Sequence, residues 1–139
     1  MTGQPTIAWI EDDIDVLQPL MKPLRKRGFD ILELRSYAEA IENLDLIREC
    51  EMICLDLILP PGPGADVEEE DDHLGLQLLR QFRRDYHLSM PILVLSVIAD
   101  GHDVDPEELR QLNAASLAKP VHLAELRAEV DELLGLHEN

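Results

Sequence analysis

The sequence predicts a parallel α/β fold, and three observations carry that expectation. Four short apolar runs, Thr6 to Ile10, Met52 to Leu55, Pro91 to Leu95 and Ala115 to Ala118, are separated by stretches whose apolar residues recur at helical spacing. Strand signals alternating with helix signals describe strands joined by crossover helices, hence a parallel sheet. Each run also ends at or just before a reactive residue: Glu11 and Asp12, Asp56, Ser96, and Lys119. Ligands of such sheets bind outside the carboxyl ends of the strands, so these residues should converge although far apart in the chain.

The first strand covers about Thr6 to Ile10. Glu11, Asp12 and Asp13 then lead into a helix with Ile14, Leu17, Leu20, Met21 and Leu24 on its apolar side and Gly28 at its end. Pro19 and Pro23 fall inside that pattern, and each costs about 3 kcal/mol in a regular helix interior because it lacks an N–H and clashes with the preceding turn. This helix should be kinked or partly broken. The second strand is about Asp30 to Leu34, and Ser36 caps a helix that turns Ala40, Ile41, Leu44 and Ile47 inward. The third strand, Met52 to Asp56, is apolar on consecutive residues, as suits a central strand buried on both faces.

From about Pro60 to His73 the chain should be a mobile loop. Its prolines and glycines cannot continue regular structure, and Asp66 to Asp72 holds six acidic residues among seven. Charge blocks of this kind usually stay solvated, although a lid or docking role is the sharper alternative. A third helix runs from about Leu74 to Tyr86, with Leu76, Leu78, Leu79 and Phe82 available to the core and Arg80, Arg83 and Arg84 outside. The fourth strand, Pro91 to Leu95, ends at Ser96. Asp105, Pro106 and Glu107 start the fourth helix, since proline suits the first turn and acids suit its positive end. The fifth strand is about Ser116 to Ala118, before Lys119 and Pro120, and a last helix from about Leu123 to Leu134 is closed by Gly135.

Bulk properties narrow the function. At 139 residues the chain has the size of one ordinary domain, 1–139, with no internal repeat. The net charge of −17 disfavours direct contact with nucleic acid or an anionic membrane, which needs Lys and Arg. No apolar stretch approaches the roughly 20 residues that span a bilayer, and Met1 to Pro5 lacks the parts of a signal peptide, so a soluble, cytoplasmic protein is expected. Cys50 and Cys54 have neither the spacing of a redox pair nor partners for zinc, and Cys54 reads as buried strand filler. His87 and His122 have no accompanying motif and read as surface residues at helix ends.

Two carboxylates after the first strand and a third after the third strand offer hard oxygen ligands to Mg²⁺. Asp12 and Asp56 are the expected direct ligands, with Glu11 beside them. With Mg²⁺ and Lys119 nearby, Asp56 stays ionised and can attack an incoming phosphoryl group, giving an acyl phosphate. Lys119 can hold one phosphoryl oxygen and Ser96 another, while the metal takes the third. Singly, each residue has an ordinary explanation: acidic pairs start helices, serines end strands and lysines sit on surfaces. The specificity lies in the set.

The motifs Ile10-Glu11-Asp12-Asp13, Leu55-Asp56-Leu57-Ile58-Leu59-Pro60, Leu93-Val94-Leu95-Ser96 and Lys119-Pro120 resemble those of response-regulator receiver domains of two-component signalling, over essentially the whole chain. Spacings of 44 residues from Asp12 to Asp56 and 23 from Ser96 to Lys119 are similar to the family's. The resemblance implies a doubly wound, flavodoxin-like fold with a five-stranded parallel sheet of order 2-1-3-4-5, five helices, and the acidic stretch inserted after the third strand. It implies that Glu11 and Asp12 bind the metal, with Asp13 the competing candidate for Asp12. It further implies that Asp56 accepts phosphate from a histidine kinase or phosphotransfer protein, that Ser96 follows the phosphoryl group during switching, and that Pro120 follows Lys119 through a cis peptide. The implied output is binding of a downstream protein, with dimerisation through the fourth helix, fifth strand and last helix allowed. Such a domain is a switch with an autophosphatase side activity, not a metabolic enzyme.

Three departures stand beside the resemblance. The Gly75-Leu76 start of the third helix comes much later after Pro60 than in the family. Ser116 replaces the aromatic residue expected three positions before the lysine, so the usual coupling of hydroxyl to ring cannot operate. Val97 stands where the family prefers a small residue, and its branched side chain could narrow access to Asp56. These departures favour the alternative of a receiver-like interaction module that acts without phosphorylation; retention of all five site residues opposes it. A Mg²⁺-dependent phosphatase of the haloacid-dehalogenase type needs a second Asp two positions after the nucleophile, where this chain has Ile58.

Overall fold

A computed structural model describes residues 5–63, 74–97 and 105–136, and within these Val97 is described in its backbone only. The strands are β1 (Thr6–Ile10), β2 (Asp30–Leu34), β3 (Met52–Asp56), β4 (Ile92–Val97) and β5 (Ala114–Lys119). They form one parallel sheet in the order β2-β1-β3-β4-β5. The helices are α1 (Gln18–Lys26), α2 (Tyr37–Glu42), α3 (Leu44–Ile47), α4 (Leu74–Arg80), α5 (Pro106–Gln111) and α6 (Leu123–Leu134).

Alternation along the strands sorts side chains into two cores, one on each face of the sheet. Ile7, Trp9, Met52, Cys54, Leu93 and Leu95 face Met21 and Leu24 of α1 and Leu126 and Val130 of α6. Ala8, Ile10, Ile53, Leu55 and Val94 face α2, α3 and α4. The central strand β3 is buried along its whole length, which explains its unbroken apolar run. Strand order reverses between β1 and β3, the point where doubly wound sheets open a crevice at the carboxyl ends of their strands.

The first helix is broken at its start, while Pro23 is accommodated inside it. Residues 12–17 form turns, and regular helix begins only at Gln18, which places Pro19 in the first turn where its missing N–H costs nothing. Gly28, at φ +99°, ends α1, and Phe29 N–H reaches back to the Leu24 carbonyl at 3.1 Å. Ser36 caps α2 by accepting from the Glu39 N–H at 3.1 Å. Among the described residues six α-helices stand where five were expected, because Asn43 interrupts the second. Its side-chain amide donates to the Glu39 carbonyl at 2.7 Å, competing with the helical ladder.

Three further expectations are corrected. The third helix continues past Arg80 as a π-helical turn, Gln81–Asp85, and there Arg83 points inward instead of to solvent. Its guanidinium donates to the carbonyls of Leu112, Leu88, Met90 and Asn113 at 2.7, 2.8, 2.8 and 2.9 Å. The stretch that begins at Pro60 is anchored at its start, since the Pro60 and Pro61 carbonyls accept from the N–H groups of Tyr37 and Ala38. Its remainder, residues 64–73, lies outside the described residues. The fifth strand is also longer than its three-residue core suggested. Both cysteines are free and buried.

Candidate functional site

β1 and β3 run side by side, Ile10 paired with Leu55, so the residues that follow them arrive together at the crevice. Glu11 continues the ladder by donating its N–H to the Leu34 carbonyl at 2.9 Å. One carboxylate oxygen each from Glu11, Asp12 and Asp56 lies within 4.8 Å of the others. Asp12 is exposed, whereas Glu11 is 0% and Asp56 4% accessible. Asp13 is not in the cluster among the described residues, which favours Asp12 over its neighbour as the third carboxylate.

Lys119 enters from the end of β5. Its Nζ lies 2.5 Å from Glu11 Oε1 and 3.4 Å from Asp56 Oδ2. The Ile58 N–H donates to Asp56 Oδ1 at 3.0 Å, so both oxygens of that carboxylate have a defined neighbour. Ser96 sits on β4 one residue beyond Leu95, the register partner of Asp56, and opposite Ala118 on β5. All five expected residues therefore occupy the carboxyl ends of adjacent strands. The peptide bond between Lys119 and Pro120 is cis.

The electrostatics follow from two carboxylates facing one cation. Burial, then the neighbouring Asp56 carboxylate, push Glu11 up to about 8 against the opposing pull of Lys119. Burial alone would lower Lys119, but the Glu11 hydrogen bond and the charges of Asp56 and Glu11 outweigh it and raise the ammonium pKa. Glu11 Oε2 is buried without a hydrogen-bond partner among the described residues. An orphaned acceptor within a set of three hard carboxylates is what a divalent cation would satisfy, and oxygen donors of this kind suit Mg²⁺.

Two features of the site were not read from the sequence. The Lys119 to Glu11 contact joins residues 108 apart, and no local pattern signals it. Gly75 opens α4 directly on the Asp56 peptide: a Cβ there would lie 2.3 Å from the Asp56 carbonyl oxygen. The Gly-Leu pair was legible as a helix start, but the close approach was not.

Comparison with known proteins agrees with this geometry. No protein-family model matches the sequence. The chain is 32% identical over 135 residues to the transcriptional regulatory protein PrrA of Mycobacterium leprae, an alignment that covers 95% of this chain and 51% of PrrA. It thus spans about half the length of that curated relative. Among solved structures, it superposes on a two-component response regulator from Clostridium difficile with TM-score 0.73 at 23% identity, covering 98% of this chain and 100% of that one. It superposes on a sensor protein from Polaromonas sp. JS666 with TM-score 0.71 at 28% identity, covering 94% and 96% respectively. The chain is a response-regulator receiver domain.

Receiver domains are signalling domains rather than metabolic enzymes, and they interact with histidine kinases or phosphotransfer proteins. Receiver domains bind Mg²⁺ at an acidic pocket, and this chain gathers Glu11, Asp12 and Asp56 in an acidic cluster. Among the described residues no helix is long and apolar enough to cross a membrane.

Proposed function

We propose that this receiver takes a phosphoryl group on Asp56 from a phosphohistidine of a kinase or phosphotransfer protein, and signals through altered protein contacts. The observation that carries the reading is the Asp56 carboxylate itself, nearly buried at the end of a central strand. One oxygen is held by a backbone N–H and the other faces the half-buried Lys119.

In the transfer, an Asp56 carboxylate oxygen forms a bond to phosphorus while the phosphorus–nitrogen bond of the donor breaks. The released electron pair stays on the imidazole nitrogen, and the product is an acyl phosphate. Lys119 offsets the charge that arrives, holding one phosphoryl oxygen, and the Ser96 hydroxyl donates to another. The Ile58 N–H fixes the carboxylate rotamer so that the attacking oxygen needs little reorientation. Mg²⁺, held by Glu11, Asp12 and Asp56, would neutralise negative charge on the transferring group. Loss of the phosphoryl group to water returns the carboxylate and ends the signal. Phosphorylation would draw Ser96 and the chain after it inward and so alter the surface of α5, β5 and α6.

The test is intact mass after incubation with Mg²⁺ and acetyl phosphate. One added phosphoryl group in the wild type, absent in Asp56→Asn, is the expected result. No gain in the wild type overturns the reading and leaves an interaction module that works without phosphorylation.

A further inference from the structure

We infer that in this receiver α5 is coupled to the phosphorylation site through an arginine clamp from α4, a device that rests on the proposed phosphoacceptor role of Asp56. α5 contains no buried residue. A surface groove of about 370 Å³ runs along its junction with β5, lined by Pro106, Leu109, Arg110, Asn113 and Ser116 among others. Ser116 is exposed and too small to fill that space. Leu109 packs half-buried against the core and Leu112, the C-cap of α5, is buried, so the helix has a small apolar footing at its carboxyl end to which polar contacts add.

Among the described residues the polar contacts from other elements come from α4 and the turn that continues it. Arg80 grips Glu108 with two parallel hydrogen bonds, Nε to Oε2 at 2.6 Å and Nη2 to Oε1 at 2.8 Å, the bidentate geometry that fixes orientation as well as distance. Arg84 Nη2 lies 4.0 Å from the same carboxylate. Arg83, on the same helical run, holds the Leu112 and Asn113 carbonyls where α5 ends and β5 begins. Residues 80, 83 and 84 have the i, i+3, i+4 spacing that shares one helix face.

The other end of α4 rests on the phosphoacceptor. The Gly75 N–H donates to the Leu57 carbonyl at 3.0 Å, and there is no room for a Cβ against Asp56 or Leu57. A shift of the Asp56 to Leu57 peptide must therefore move the start of α4, and α4 carries the clamp. The path is contiguous: Asp56, Gly75, Arg80, Glu108. It ends on a helix with no fully buried residue, the element whose displacement the coupling would require. It also bypasses Ser116, where the ring of the usual coupling is missing.

The test follows backbone amide resonances of the protein as Mg²⁺ and beryllium fluoride, a phosphoryl mimic, are added. In the wild type, Leu57 and Gly75 shift, and so do Glu107 to Leu112. In Arg80→Gln and in Glu108→Gln the Leu57 and Gly75 shifts persist, while those of α5 fall to less than about half, and the exchanged pair Arg80→Glu with Glu108→Arg regains part of the loss. α5 shifts of wild-type size in both single variants overturn the clamp. So does a wild type in which Leu57 and Gly75 move and α5 does not. A wild type in which neither region responds overturns the phosphoacceptor reading and the clamp with it.

Discussion

Gly75→Ala tests whether the start of α4 is seated on the phosphoacceptor peptide. The added Cβ would lie 2.3 Å from the Asp56 carbonyl oxygen, 2.4 Å from Leu57 Cα and 2.5 Å from the Leu57 carbonyl carbon. All three are backbone atoms, so no rotamer change relieves the clash, and the peptide and helix must separate by roughly 1 Å to reach van der Waals contact. Overpacking of this kind costs about 1–3 kcal/mol, against which the better helix propensity of alanine returns up to about 1 kcal/mol. The expected net loss is about 1–2 kcal/mol, a fall in Tm of roughly 4–8 °C for a chain of this size. Because the displaced peptide is that of Asp56, phosphorylation by acetyl phosphate should slow as well. Gly28→Ala is the control: its Cβ meets nothing within 4 Å, but φ is +99°. That variant should lose about 1 kcal/mol to backbone strain and keep the wild-type phosphorylation rate. A Gly75→Ala protein with wild-type Tm and rate would refute the reasoning.

Other outcomes follow from the same structure. Asp56→Asn should be more stable than the wild type without divalent ions, on the order of 1 kcal/mol by urea unfolding, because it removes a charge crowded against buried Glu11. Mg²⁺ at ten times its Kd should stabilise the wild type by about 1.4 kcal/mol, and Asp12→Ala should abolish the gain in a thermal melt. Arg83→Met should cost about 2–4 kcal/mol, since it leaves four backbone carbonyls without their donor. Burial pushes the Cys50 thiol up to about 11 from 9.0, so the folded state keeps a proton that the unfolded chain releases. Stability should therefore decline as pH rises from about 9 through 11, and native Cys50 should react slowly with thiol reagents at pH 8.

β1 and β3 were legible because burial on both faces demands apolar runs, which fill Thr6 to Ile10 and Met52 to Leu55, whereas β2, with Asp30 and Glu33 in it, is a half-buried edge strand. The site was legible for a related reason: a charged or hydroxyl residue terminates each run, and parallel topology converts strand ends into neighbours. What the sequence hid depends on contacts distant along the chain. Arg83 looks like any outward arginine until Leu112 and Asn113 are placed beside it. Glu11 looks like a metal ligand alone until Lys119 closes on it. Asn43 carries a local signal, since its side chain competes with the helix backbone, but apolar spacing continues through it and masks the break. β5 begins with Ala114 and Ala115, whose small side chains give little strand signal by themselves.

The central claim is that the phosphoryl group resides on Asp56 as an acyl phosphate. Borohydride reduces such a mixed anhydride to an alcohol and leaves free carboxylates untouched, so reduction after treatment with Mg²⁺ and acetyl phosphate marks the acceptor as homoserine. Peptide sequencing by mass spectrometry should find homoserine at position 56. Reduction at position 11 or 12 instead, or at none, would contradict the account.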